Sequence, residues 1–231
     1  MQVLSLEQLF SMQFQAHPWH GVPPTTDAPN VFRAFIEMGP DDRVKKELNK
    51  QTGHLEMDRV SKYAAYCPTY YGFISQTYCG DLVAARCRER TRRRVVSGDL
   101  DPLDVCILTE NRFNGGDTVH IVPIGGLAMI DKKQADDKIV CVLAGDLTYG
   151  GYTDINQLPP DIIPRLENYF LSYKRNLVEK SRKLVVSIAE VYGAAEARHI
   201  IDLSMRDYTA RYGTHSQRLQ QLRTLLLTST A

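Results

Sequence analysis

Short runs of alternating apolar and polar positions, divided by Gly, Pro and Asp, fill much of the chain and predict β-strands. Val31 to Glu37, Arg43 to Leu48 and Leu55 to Val60 are separated by Gly39-Pro40-Asp41-Asp42 and by Thr52-Gly53, turn signals that fold them into hairpins of one meander. Leu103 to Glu110, Thr118 to Val122 and Lys138 to Ala144 add further strands, and such regular spacing suggests a small closed barrel. The period changes after Pro159-Pro160. Asp161 offers an N-cap, and Ile162, Leu166, Phe170 and Tyr173 share one face of a helix running to about Asn176. Leu184, Val186 and Ile188 alternate as one more strand. Ala194, Ala197, Ile201, Met205 and Tyr208 mark a second helix, and Gln217 to Leu227 a third. The expected class is α+β, mainly β: a small β-barrel with helices packed on it.

A chain of 231 residues is long enough for one core, so a single domain over residues 1–231 is expected. Residues 1–30 read as an N-terminal arm, 79–98 as an Arg-rich insertion and 178–231 as a C-terminal strand and helical extension. A formal net charge of +1 leaves no overall footprint for nucleic acid or an anionic membrane. Five cysteines without a CxxC pair (Cys67, Cys79, Cys87, Cys106, Cys141) point to free thiols in a reducing compartment; a zinc site from Cys67, Cys79 and Cys87 is the weaker alternative. The stretch from Met1 to Phe14 carries Glu7 and lacks a basic start or cleavage pattern, and no apolar run reaches the roughly 18 residues that cross a bilayer. A cytoplasmic protein is expected. His17-Pro18-Trp19-His20 reads as an anchor for the arm rather than a metal-binding pair.

Arg86, Arg88, Arg90, Arg92, Arg93 and Arg94 crowd Cys79 to Gly98, which has few apolar anchors and reads as an inserted surface loop. Clustered arginines suit an anion or a polynucleotide. No aromatic residues interleave them for base stacking, which favours a solvated loop, one that meets a neighbouring subunit or covers a nearby pocket.

The strongest chemical signal is Asp99-Leu100-Asp101-Pro102-Leu103-Asp104, answered by Asp131 and by Asp136-Asp137-Lys138. Carboxylates this dense repel one another unless cations lie between them. Asp and Pro also form ordinary turns, so the spacing alone decides little. An EF-hand loop fits Asp99, Asp101 and Glu110 but fails at Leu103, where an oxygen ligand belongs, and at Asp104, where the turn glycine belongs. Phosphate chemistry with magnesium needs hard oxygen ligands, a base for water, and cationic or phenolic donors around the phosphoryl oxygens. The chain supplies Glu37, Glu47, Asp99, Asp101, Asp104, Asp131 and Asp136 as carboxylates, and Lys45, Arg59, Tyr71, Lys138, Tyr173 and Lys174 as donors. Their spread over strands and a helix end favours a pocket over a linear tail.

The order of motifs resembles the soluble inorganic pyrophosphatases of family I, the metal-dependent single-domain barrel type. The resemblance runs through Lys45-Lys46-Glu47-Leu48-Asn49-Lys50-Gln51-Thr52-Gly53, Met57-Asp58-Arg59, Tyr70-Tyr71-Gly72-Phe73-Ile74, Asp99 to Val105, Pro123-Ile124-Gly125, Asp131 to Lys138, Tyr169-Phe170 and Tyr173-Lys174, spanning about residues 17 to 176. It implies an OB-like five-stranded barrel, several Mg2+ ions with Mn2+ as a substitute, homo-oligomeric assembly, and hydrolysis of pyrophosphate to two orthophosphates. By the same resemblance Asp99, Asp104 and Asp136 bind the tightest ion, with Asp104 bridging a second. Asp131 and Asp136 hold a further ion, and Glu37 another through water. Asp101 is implied as the base. Lys45, Arg59, Tyr71, Lys138, Tyr173 and Lys174 form the implied substrate-binding set, and Glu47 supports Lys45 or a water. The chain departs from the family pattern at Leu100, where glycine is usual, and at Gly39, Lys46 and Asn49. The competing readings are an OB-like polynucleotide-binding module, which has no need of seven carboxylates, and an inactive relative whose site Leu100 and the insertion have closed.

Overall fold

The computed structural model describes residues 16–26, 28, 30–60, 66–93, 96–173 and 186–228. The readings on residues 1–14, on Arg94, on Lys174, on the end of the helix near Asn176 and on Leu184 lie outside them. The strands are β1 (Phe32–Met38), β2 (Val44–Leu48), β3 (Leu55–Val60), β4 (Tyr70–Ile74), β5 (Ser97–Gly98), β6 (Asp104–Leu108), β7 (Thr118–Asp131), β8 (Gln134–Ala135), β9 (Lys138–Leu143) and β10 (Val186–Gly193). The helices are α1 (Asp81–Thr91), α2 (Ile162–Ser172), α3 (Ala194–Tyr212) and α4 (His215–Thr228).

The ring β1-β4-β6-β9-β7 closes because β7 also pairs with β1, so the expected five-stranded barrel is present. Its β6–β9 pair is parallel and its other pairs antiparallel. β2 and β3 form a separate hairpin beside it. Ile36, Val105, Ile107, Ile121, Ile139 and Cys141 are buried in the principal core, which extends to the helices through Val83 and Cys87 of α1 and Ala197 and Ile201 of α3. Leu166 and Phe170 of α2 join Cys106, Leu127 and Val140 in a second cluster.

Several elements differ from the sequence expectation. The strand expected to end at Val122 continues to Asp131, because Pro123 and Gly125 flank a bulge rather than a turn. The continuation pairs with β10, and Gly126 admits the Tyr192 ring, whose atoms would lie 2.5 Å from an added Cβ. Tyr70–Ile74 is an additional strand with Gly72 at its centre; an added Cβ there would lie 1.9 Å from the Phe35 carbonyl oxygen. Asp161 precedes α2, yet its side chain caps no N–H.

Within the Arg-rich segment Asp81–Thr91 is helix, not surface loop. Val83, Ala84 and Cys87 of α1 are buried, and Arg86 forms a two-pronged pair with Glu196 of α3 at 2.8 and 2.7 Å. Arg90 pairs with Glu190 at 2.5 Å and Glu196 at 2.8 Å and lies 4.8 Å from the Tyr192 ring centre, while Arg88 donates to the Val96 carbonyl. These arginines bind the chain to itself. The arm is anchored as expected: Trp19 is buried and donates its indole N–H to the Thr77 carbonyl, and the His20 ring bonds the Tyr208 hydroxyl at 2.7 Å. The five cysteines are buried free thiols, and no helix among the described residues is long and apolar enough to cross a membrane.

Candidate active site

Register places the charged groups at one end of the barrel. In the parallel β6–β9 pair Asp104 stands opposite Lys138, and β4 runs along the other edge of β6. The Tyr71 hydroxyl donates to Asp104 at 2.5 Å, and the buried Lys138 ammonium contacts both Asp104 and Asp136. Burial opposes a charged Lys138, but Asp104 and Asp136 hold its pKa well above the ordinary lysine value. Burial, then the Asp104 charge, raises Tyr71 well above the usual phenol range, so its proton stays available for donation.

Asp99 and Asp101 enter from the loop before β6. The Asp99 carboxylate accepts the Asp101 backbone N–H at 3.0 Å, and burial, with the Asp136 charge next, raises Asp99 to about 8. Leu100 between them has φ +68°, the left-handed backbone that glycine adopts freely, so the loop takes its shape without the expected glycine. Asp101 is half exposed and pairs with Lys50 from the turn after β2. Glu37, at the end of β1, is buried, accepts the Leu48 N–H at 2.9 Å and is pushed up to about 8, chiefly by burial.

The β2–β3 hairpin carries the outer cations, with Lys45 opposite Arg59. Lys45 pairs with Glu47 at 2.7 Å and Asp58 at 3.3 Å, and the Arg59 guanidinium pairs with Asp58 and lies 6.0 Å from the Tyr173 ring centre. Tyr173 follows α2 and stacks on Tyr169. Asp131 ends β7 opposite Gln134, with the β8 turn between it and Asp136. The structure thus gathers Asp104, Asp136, Lys138 and Tyr71 most tightly, with Asp99 beside them. Lys45, Glu47 and Arg59 are joined on the hairpin.

Three participants escaped the sequence reading. Lys50 stood inside a quoted motif without a role, as did Asp58. Asp137 is buried, accepts the Tyr192 hydroxyl at 3.0 Å, and is raised to about 7 by burial. Its adjacency to Asp136 was the available signal.

The donor set suits a hard divalent cation: burial, and after it the neighbouring Asp136 charge, favours protonated Asp99, so these carboxylates need positive charge to ionise together. Lys138 provides that charge between Asp104 and Asp136. Among the described residues, no three His, Cys, Asp or Glu side chains converge closely enough as they stand to enclose an ion.

A small closed barrel whose mouth interleaves carboxylates with ammonium, guanidinium and phenol groups defines a site suited to polyvalent anions and cations together. The family described as "Inorganic pyrophosphatase" matches residues 34–209. An inorganic pyrophosphatase of Chlamydia trachomatis is 40% identical over 197 residues, covering 84% of this chain and 94% of that protein. Soluble inorganic pyrophosphatase 2 of Chlamydomonas reinhardtii is 34% identical, covering 85% and 91%. Among solved structures, the inorganic pyrophosphatase of Thermus thermophilus superposes with TM-score 0.69 at 25% identity, covering 84% of this chain and 99% of that one. The inorganic pyrophosphatase of Neisseria gonorrhoeae gives TM-score 0.66 at 27% identity, covering 80% and 95%. The chain belongs to the inorganic pyrophosphatase family.

Proposed function

We propose that this chain is an inorganic diphosphatase that hydrolyses pyrophosphate to two orthophosphates, with Asp101 as base and Mg2+ as cofactor. Family membership over residues 34–209 supports the reaction. The observation that carries the site is Lys138 lying against both Asp104 and Asp136, with Tyr71 on Asp104.

In this reading Asp99, Asp104, Asp131 and Asp136, with Glu37 through water, would hold Mg2+, or Mn2+, which takes the same hard oxygen ligands. Such an ion would supply charge neutralisation and make water more acidic. Asp101 accepts the proton as the water oxygen bonds to one phosphorus; the bridging P–O bond breaks, and its electron pair leaves on the second phosphate. Lys50 orients Asp101. Lys45, Arg59, Tyr71, Lys138, Tyr173 and Lys174 direct donors at the phosphoryl oxygens, where charge builds in the transition state, and Glu47 fixes Lys45. Cytoplasmic location and homo-oligomeric assembly belong to the same proposal, the first supported by the five free buried thiols.

The polynucleotide reading loses its footing, because Arg86, Arg88 and Arg90 are engaged within the chain. The closed-site reading loses one of its grounds, because Leu100 attains a left-handed backbone. Asp101→Asn tests the mechanism: turnover of pyrophosphate should fall about 10²-fold or more with KM nearly unchanged. Normal turnover would remove Asp101 from its role.

A further inference from the structure

The backbone of the Asp99–Asp101 loop is tied at two points to Cys79. Cys79 donates its N–H to the Asp101 carbonyl at 2.9 Å and accepts the Leu100 N–H at 3.2 Å, so both sides of the left-handed Leu100 are tied to Cys79. Gly98 packs so closely there that an added Cβ would lie 2.0 Å from the Cys79 carbonyl oxygen. A branched residue with positive φ persists where its surroundings fix it, and here Cys79 does the fixing.

Cys79 is in turn set by α3. Its neighbour Tyr78 donates its N–H to the Ser204 carbonyl at 3.0 Å. On its other side begins α1, whose N-cap residue is Gly80, which has no side chain to offer. Asp207, buried and on the same face of α3 as Ser204, supplies the cap from a distance in sequence. Its carboxylate accepts N–H groups from Gly80 at 3.1 Å, Leu82 at 3.0 Å and Val83 at 3.1 Å. Without this carboxylate the Leu82 and Val83 N–H groups would lose their acceptor, the Gly80 N–H would keep only the Tyr78 carbonyl at 3.1 Å, and the Tyr78–Gly80 backbone would be released from α3 on one side.

We propose that Asp207 is a positioning residue for hydrolysis: it fixes Cys79–Gly80 against α3, and Cys79 holds the Asp99–Asp101 loop with Leu100 left-handed. The role rests on the reading of Asp101 as the base. It gives α3 a function in turnover beyond packing. Because the substrate donors Lys45, Arg59, Tyr71 and Lys138 stand on other elements, loss of Asp207 should move kcat and spare KM. Glycine adopts positive φ without strain, so Leu100→Gly should lessen the dependence of the loop on Cys79.

The test measures kcat and KM for pyrophosphate in saturating Mg2+ for wild type, Asp207→Ala, Leu100→Gly and the double variant, each checked for folding by circular dichroism. Hydrogen exchange across residues 96–103 is followed in parallel. Asp207→Ala should lose about 10- to 100-fold in kcat, as small misplacements of reacting groups do, with KM within about twofold. Leu100→Gly alone should stay within about twofold, and the double variant should regain most of the lost kcat, a coupling that distant independent sites lack. Exchange across 96–103 should quicken in Asp207→Ala while β9 keeps its protection. If Asp207→Ala does not fold, Asp207→Asn, which keeps one acceptor oxygen, is judged by the same criteria. A folded variant with unchanged kcat and unchanged exchange, or no rescue by Leu100→Gly, overturns the proposal. A wild type that releases no phosphate overturns the hydrolytic reading instead, and the exchange result then decides the role of Asp207 alone.

Discussion

Glu37→Gln should make the metal-free protein more stable while impairing the enzyme. Burial raises Glu37 from 4.5 to about 8, against the lowering effect of the Leu48 N–H that its side chain accepts. The unfolded chain therefore releases this proton near pH 4.5, whereas the folded protein keeps it until about pH 8. Stability from this group is whole below pH 4.5 and is lost as the pH rises, at about 1.4 kcal/mol per pH unit. The loss is about 1 kcal/mol at pH 5 and about 3 kcal/mol at pH 7 by the same relation. Glutamine has nothing to ionise, and its amide oxygen can still accept the Leu48 N–H. In excess chelator the variant should gain about 2 to 3 kcal/mol over wild type at pH 7, and the gap should shrink to about 1 kcal/mol at pH 5. Urea unfolding followed by fluorescence of Trp19, the single tryptophan, reads both values. A variant no more stable than wild type at pH 7, or a gap independent of pH, would refute the reasoning. In Mg2+ the same substitution should lower turnover, since a group held at a cost to the fold is expected at a working site.

Two further outcomes are expected. Gly72→Ala must push the new methyl away from the Phe35 carbonyl, which separates β1 from β4 beside Tyr71, and should cost at least about 3 kcal/mol by urea unfolding; a loss under about 1 kcal/mol would contradict the close approach. Burial, with the charges of His17 and Arg218 next, lowers His20 to about 4. The stability of neutral His20 is thus present above the ordinary histidine value of 6.5 and lost as the pH falls toward 4. His20→Gln should show a smaller fall in melting temperature between pH 7 and pH 4.5 than wild type, and an equal fall would assign the acid sensitivity elsewhere.

The barrel was legible where burial on one face left an alternating pattern, as in Thr118–Ile121, and where burial on both faces left an apolar run between turn signals, as in Lys138–Leu143. It was hidden where a glycine serves a contact between strands. Gly72 looks unsuited to a strand until Phe35 is laid against it, and Pro123 with Gly125 looks like an ending until β10 pairs beyond. α1 was misread because its stabilising partners, Glu196 and Asp207, lie more than a hundred residues away in sequence. The carboxylates of the candidate site stood out by their density, and the order of motifs gave them their expected roles. Lys50 did not, because its pairing with Asp101 joins a hairpin turn to a distant loop that no local pattern connects.

The most direct test of the central claim is orthophosphate release from pyrophosphate by the purified chain, in Mg2+ and in excess chelator. The account predicts two orthophosphates per pyrophosphate, rapid release with Mg2+ and almost none with chelator. No release at any Mg2+ concentration, or release that chelator leaves unchanged, would contradict it.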